Sequence, residues 1–383
     1  MPGLRIRDFG PIRKGLQTDS GFIEFNRMTL FMGNQATGKS TVAKLYSTFS
    51  WLEKSLDSGA YPGGISEENF FSLLKYHRIE SYLKVSSEID YSGTLFDFSY
   101  RNGRFSVEKK ECEDYVRPKI LYIPADRVFC TAVQNPESIK GLARNTFDFL
   151  IDYGAAKSAL SGKTFRLPVN GFDFRWDENT KKSFILDNIK DYEIEMTDAS
   201  SGLQSLSPLA LTSWFFSSGE KEDGDSYAGI SVEQKNRIDS GVPQTRVLNS
   251  RLVNIVEEPE QNLYPQSQAE VLYYLLGTLK KEDNSLVITT HSPYLLSYLT
   301  LSAKASELKE KGVQFERLEK ILHTGNFISS DSISIYETED DGSIRLIEPC
   351  DSLPSDDNPL NNALAETNGM FSDLIELEDE ICR

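Results

Sequence analysis

The sequence predicts an α/β protein: a mixed sheet flanked by helices, with an inserted helical and strand lobe and a small C-terminal extension. Two observations carry that expectation. A strand, a glycine-rich loop and a helix follow one another over residues 28–56. Some 200 residues later, two short β-branched runs, RLVNIVEE and SLVITTHS, are separated by the apolar helix QSQAEVLYYLLGTL. Strands alternating with helices argue for parallel pairing, and such sheets take their ligands at the carboxyl ends of the strands.

At 383 residues, 39% hydrophobic and 26% charged, the chain can bury one large α/β core with an insertion, or two modest ones. No apolar run approaches the roughly 20 residues that span a bilayer. The opening MPGLRIRDFG lacks the apolar centre of a signal peptide, so a cytoplasmic protein with no membrane partner is expected. Four cysteines and three histidines lie too far apart for a zinc site or a disulfide framework. A formal charge of −17 repels nucleic acid on average and leaves its binding open only to a local basic patch.

Along the chain, LRIRDF, GFIEF and MTLFMG read as short strands, each ending in Gly, Pro or polar residues. Val42, Leu45, Phe49 and Leu52 recur at spacings of three and four, which predicts a helix from Ser40 to about Leu56. Residues 1–56 thus form the first part of a core, and residues 57–118 read as an inserted lobe with the helix NFFSLLKYHRIESYLKV and the strands GTLFDFSY and GRFSVEKKE. The buried strand KILYIPADR reopens the core, which continues over 119–300. Residues 134–185 read as helical and then irregular. DYEIEMTDASSGLQSLSPLALTSWFF reads as a strand, a Ser/Gly turn and a helix, followed by the acidic loop SSGEKEDGDSYAGISVEQKN. Residues 301–383 form the extension, expected to serve assembly or partner binding, with the hairpin SISIYETEDDGSIRLIE and an acidic terminal helix.

GNQATGKST, residues 33–41, matches G-x-x-x-x-G-K-[ST] between a strand and a helix, the context a phosphate-binding loop requires. Gly33 and Gly38 let the loop curl so that backbone N–H groups of Asn34, Ala36, Thr37, Gly38 and Thr41 face phosphate oxygens at the positive end of a helix. Lys39 is placed to reach the β- and γ-phosphates of ATP, and the Ser40 hydroxyl to ligate Mg2+. Glu257 and Glu258 stand where an apolar strand ends, the first suited to the Mg2+ region and the second to activating water as general base. A solvated turn after a core strand is the alternative there. His291 ends the next strand, as a structural hydrogen-bonder or as a catalytic group. Ser200, Ser201 and Gly202 open an apolar helix and form either a simple cap or an anion site.

In this order the segments resemble the ABC-ATPase set, over residues 30–295: Walker A at GNQATGKST, signature at ASSGLQS, Walker B at LVNIVEEPE, D-loop at EQNLYP and H-loop at THSP. The resemblance is to the OLD/RecF/SMC-like branch, in which YIPADR, with Asp126 and Arg127, resembles the strand end that leads to the Q-loop. It implies an ABC-ATPase P-loop fold and a homodimer or higher oligomer with ATP sandwiched between copies. It assigns Lys39, Glu258 and His291 to catalysis, with His291 sensing the γ-phosphate. Ser200, Ser201 and Gly202 then contact the ATP of a second copy, and Ser40 with Glu257 hold Mg2+. Three features depart from the family pattern: Glu257 stands where Asp is usual, ASSGLQS replaces LSGGQ, and only Gln134 lies near the Q-loop position.

The chain is similar to ATPase subunits of bacterial anti-phage systems, those of PARIS (AriA-type) first and those of Septu (PtuA-type) next. That likeness implies a sensor and scaffold that holds a separate Toprim-type nuclease effector until a phage-encoded trigger protein is sensed. The roughly 90 residues after His291 show no metal-binding pattern of a Toprim domain, so no nuclease site of the chain's own is expected. An SMC- or RecF-like ATPase of DNA repair or recombination is the alternative.

Overall fold

The computed structural model describes residues 1–61, 64–112, 114–133, 141–169, 171–218, 251–347 and 366–375. The acidic loop after Ser218, Gln134, and most of the terminal acidic segment lie outside them.

Seven strands make the main sheet: β2 (Gly15–Leu16), β4 (Met28–Gly33), β8 (Pro118–Ile123), β13 (Arg251–Glu257), β14 (Ser285–Thr289), β15 (Ile333–Thr338) and β16 (Ser343–Leu346). Their order is β2-β16-β15-β4-β14-β13-β8. The run β15-β4-β14-β13-β8 is parallel throughout, and the turn to β16 is antiparallel. Parallel strands are covered on both faces, so they read as continuous apolar runs. MTLFMG in β4 is buried at every position.

A side-chain period of two sorts these strands between two cores. Met28, Leu30 and Met32 of β4, Leu252 and Val256 of β13, and Leu286 and Ile288 of β14 face the first. That face is covered by α4 (Arg144–Ser158), α5 (Ser201–Ser217), α6 (Pro265–Leu276) and α7 (Pro293–Glu310). Phe31, Tyr122, Val253, Ile255 and Val287 face the second core, which holds α1 (Lys39–Asp57) and α2 (Glu67–Tyr76). Continuing the alternation of β13 from Val256 turns Glu257 toward the second core, on the α1 side.

The second core is closed by a five-stranded sheet of β1 (Gly3–Arg7), β3 (Ile23–Glu24), β5 (Glu88–Ser92), β6 (Phe96–Arg101) and β7 (Arg104–Lys109), in the order β3-β1-β5-β6-β7. Residues 57–118 therefore extend the sheet begun by the N-terminal strand β1. The helix read over 69–85 stops at Tyr76, because Arg78 takes a left-handed φ of 55° that breaks the helical hydrogen-bond ladder.

Two further readings differ from the sequence expectation. The stretch up to residue 185, read as helical and then irregular, carries β9 (Phe165–Arg166), β10 (Phe172–Asp177) and most of β11 (Lys182–Asp187), which form an antiparallel sheet with β12 (Tyr192–Glu195), the strand read in DYEIEM. These strands are short and mostly half-buried, so the alternation is faint. The segment 301–383 is also more than an appendage, since β15 pairs in parallel with β4 at the centre of the main sheet. The expected hairpin is present as β15 and β16.

Candidate functional site

Register brings the strand ends level. Gly33 of β4 stands opposite Thr338 of β15, Phe31 opposite Thr289 of β14, and Thr289 opposite Glu257 of β13. The loops leaving β4, β13, β14 and β8 therefore emerge along one edge of the sheet, where such folds collect their ligands.

The loop from β4 to α1 requires its glycines. Gly33 has φ 139° and Gly38 φ 111°; a Cβ at Gly33 would stand 2.3 Å from the Thr338 carbonyl oxygen, and one at Gly38 2.8 Å from Ile12 Cγ1. Between them Ala36 adopts φ 61°. Asn34 and Ala36 are exposed at the mouth while Thr37, Gly38, Lys39 and Thr41 are buried and Ser40 half-buried. Thr37 Oγ1 donates to the Asn34 carbonyl at 2.8 Å and lies 2.6 Å from Thr338 Oγ1, fixing the loop to β15.

Helix α1, 19 residues long, has no side-chain cap at its N-terminus and no acidic residue in its first turn. Its leading N–H groups and positive dipole end therefore suit an anion. Lys39 is 5% exposed and bends back over the loop, donating from Nζ to the carbonyls of Gly33 (2.9 Å) and Asn34 (2.6 Å). Burial pulls its pKa down from 10.5 to about 8, against the pull of Glu258 and Glu260 upward. This donor set fits a triphosphate: a buried ammonium, an uncapped helix start, and a loop whose shape depends on glycine.

His291 and Glu258 complete the cluster. His291 Nδ1 lies 3.4 Å from Lys39 Nζ, and its Nε2 lies 3.6 Å from Glu258 Oε1. Burial first, and then the Lys39 charge, lower the histidine pKa, so at neutral pH the ring is uncharged. A neutral ring with its proton on Nε2 accepts from Lys39 and points N–H at Glu258, the tautomer that these contacts favour. Glu258 has φ 45°, a strained conformation for a non-glycine residue. It is held on both sides: its N–H donates to the Thr289 carbonyl at 2.9 Å, and its own carbonyl accepts from Arg127 at 2.7 Å. The kink turns Glu258 out of the β13 alternation and toward His291.

Glu257 remains in the strand, 5% exposed, and its Oε2 accepts from the Ala125 N–H at 3.2 Å. Burial and then the Glu257 charge push the neighbouring Tyr122 hydroxyl well above its ordinary pKa. A Mg2+ ion in this fold would be held by Ser40 at the start of α1 and Glu257 at the end of β13, with further oxygens from phosphate and water. No cluster of three or more His, Cys, Asp or Glu side chains suited to a metal occurs among the described residues.

Ser200, Ser201 and Gly202 lie elsewhere. Ser200 stands at the N-cap position of α5 with an extended backbone but makes no side-chain cap hydrogen bond, Ser200 and Ser201 are exposed, and Gly202 is packed so closely that a Cβ would stand 2.7 Å from the Asn262 carbonyl oxygen. No described contact joins the three to the Lys39 loop.

Two contributors were not singled out in the sequence. Glu260 Oε1 accepts from the Thr290 hydroxyl (2.7 Å) and from the His291 N–H (2.8 Å), which seats the histidine backbone; burial raises its pKa. Thr338 steadies the phosphate loop from β15. Each acts across a sequence separation that local patterning does not register, although the third carboxylate in EEPE was a visible signal for Glu260.

The buried lysine gives a testable pH dependence. A phosphate held by Lys39 requires the ammonium form, so ATP affinity at this loop is expected to be full below the lysine pKa and to be lost as pH rises through it. Titrations should show a constant Kd up to about pH 7.5 and then a weakening that approaches roughly tenfold per unit above about pH 8.5. A flat profile to pH 9.5 would contradict Lys39 as the phosphate ligand.

Residues 135–297, less than half of the chain, match the family described as AAA domain, putative AbiEii toxin, Type IV TA system. No curated protein is matched. Similar solved structures include an SMC head bound to the C-winged helix domain of ScpA, 10% identical, with TM-score 0.45 and coverage of 90% of this chain and 96% of that one. Another is an SMC head domain with an extended coiled coil bound to the C-terminal domain of ScpA, derived from Pyrococcus furiosus, at 9% identity and TM-score 0.42 with both chains fully covered. A third is a dimeric post-hydrolysis ATP-binding cassette bound to ADP and Pi, at 10% identity and TM-score 0.32, covering 90% of this chain and 96% of that chain.

Proposed function

We propose that this chain binds and hydrolyses ATP as an ABC-type ATPase whose complete site needs two copies. The observation that carries the reading is the convergence of Lys39, His291 and Glu258 within 3.4 and 3.6 Å contacts beside a glycine-dependent phosphate loop. Lys39 exchanges its two backbone carbonyl partners for phosphate oxygens. Glu258, one-third exposed, takes the proton of the attacking water, and His291 orients that water or the γ-phosphate through Nε2. Mg2+, when bound at Ser40 and Glu257, neutralises charge on the phosphate oxygens. Ser200 and Ser201 are exposed and Gly202 is buried behind them, and no described contact ties the three to their own Lys39 loop, which supports a role for the serines toward the ATP of a second copy.

The finer reading is a sensor and scaffold subunit of an anti-phage system, which restrains a separate nuclease until a phage-encoded protein is sensed. Its support is the likeness in motif form to such subunits, together with a family match whose description names a toxin of a toxin–antitoxin system. No helix among the described residues is long and apolar enough to cross a membrane. The test pairs two measurements on the full chain. Purified protein with ATP and Mg2+ should release phosphate, and cells carrying the chain with its genomic neighbour should resist phage. Absence of phosphate release contradicts the ATPase assignment; unchanged phage sensitivity contradicts the defence role.

A further inference from the structure

We propose that Arg127 is a positioning residue that couples the two half-sites, tying the first turns of α5, which begin with Ser201 and Gly202, to the backbone that presents Glu257 and Glu258. The proposal rests on the reading of the Lys39 loop as an ATP site.

Arg127 is 0% exposed. Its Nε donates to the Ser205 carbonyl at 3.1 Å, Nη1 to the carbonyls of Pro124 (3.1 Å) and Glu257 (2.6 Å), and Nη2 to that of Glu258 (2.7 Å). One guanidinium thus spans α5, the end of β8 and the end of β13. A buried cation normally sits against a carboxylate, yet no carboxylate lies at ion-pair distance from Arg127 among the described contacts. Glu260, Glu258, Glu257 and Asp126 act on it from further off, Glu260 most strongly. Burial lowers its pKa to about 10, so it stays charged at neutral pH. Four bonds from the three nitrogens of a planar fork meet carbonyls on three segments, a spread that the single nitrogen of a lysine ammonium does not reproduce.

The same segment grips α5 a second time. Pro208 lies inside that helix and has no N–H for the Gln204 carbonyl four residues before it. Thr131 Oγ1 donates to that carbonyl instead, at 2.8 Å. Residues 124–131 therefore bracket the first turns of α5 through Thr131 and Arg127, and the catalytic strand end through Arg127 and the Ala125 N–H on Glu257. A displacement of Glu257 or Glu258 on closing around ATP is carried to Ser201 without slack, because interiors so packed do not deform gradually.

The experiment uses full-length protein. Arg127→Lys keeps a charge and most of the side-chain length but removes the fork. In the wild-type background it should bind a fluorescent ATP analogue within about threefold of normal, while kcat falls by roughly 30-fold or more. In a Glu258→Gln background, where ATP-driven dimers persist, it should abolish the doubling of mass seen by light scattering. Retained kcat together with retained dimerisation overturns the proposal. If Arg127→Lys does not fold, Thr131→Val decides: it loses one grip on α5, and ATP-driven dimerisation should weaken by about five- to tenfold, so unchanged dimerisation overturns the coupling. Failure of the wild-type chain to bind the analogue overturns the ATP reading, and the coupling with it.

Discussion

Lys39→Ala is expected to abolish ATP binding while leaving the fold intact. In the free protein the Nζ group donates to two loop carbonyls and touches His291, and among the described residues it has no carboxylate at ion-pair distance, so its removal breaks no ion pair. In the bound state the ammonium would make charge-assisted bonds to phosphate, each contributing about 1.5–3 kcal/mol. Loss of two such bonds weakens binding by about 3 kcal/mol or more, a Kd increase of at least roughly 100-fold. Isothermal titration with ATP and Mg2+ reads this directly, with circular dichroism as the check on folding. A Kd within threefold of wild type would remove the loop from nucleotide binding.

Glu258→Gln is expected to separate binding from turnover. The amide keeps the size of the side chain and can still meet His291 Nε2, but it cannot take a proton from water. Loss of a general base lowers the rate by about 10²- to 10⁴-fold, whereas the phosphate contacts of Lys39 and α1 remain. The variant should therefore bind ATP, hydrolyse it very slowly, and accumulate as an ATP-bound dimer. Steady-state phosphate release measures the rate, and unchanged turnover would assign the base to another group. Glu260 is the less suitable candidate, since its Oε1 is committed to Thr290 and His291 and its Oε2 is buried.

Both predictions rest on residues that the sequence marks openly. GNQATGKST, the paired carboxylates after LVNIV and the histidine after LVITT each follow an apolar strand, and parallel strands in register deliver such residues to one edge. Period-two alternation also orients Glu257. What stayed hidden depends on contacts between distant segments. Nothing local in ISIYET announces that β15 pairs with β4 some 300 residues earlier, or that Thr338 meets Thr37. The faint alternation of 165–187 reflects strands with few fully buried positions. Arg127 was visible as a charge after an apolar strand; its bonds to Ser205, Glu257 and Glu258 span 78, 130 and 131 residues, and only the folded chain brings them together.

The kinked backbone at Glu258 illustrates how the site is held. A left-handed φ costs a non-glycine residue about 1–2 kcal/mol, which the bonds from Arg127 and to Thr289 offset. Without the kink, the alternation of β13 would turn Glu258 to the first core, opposite to Glu257. With it, both consecutive carboxylates serve the same edge, one beside Ala125 and one beside His291.

The central claim is that Lys39, Glu258 and His291 act on one triphosphate that a second copy helps to enclose. Its most direct test is a crystal structure of the full-length Glu258→Gln chain with ATP and Mg2+. The γ-phosphate should lie within hydrogen-bond reach of Lys39 Nζ and His291, with Ser201 of a second copy against its other side. Phosphates bound away from the Gly33–Thr41 loop, or a copy whose Ser201 cannot reach them, would contradict it.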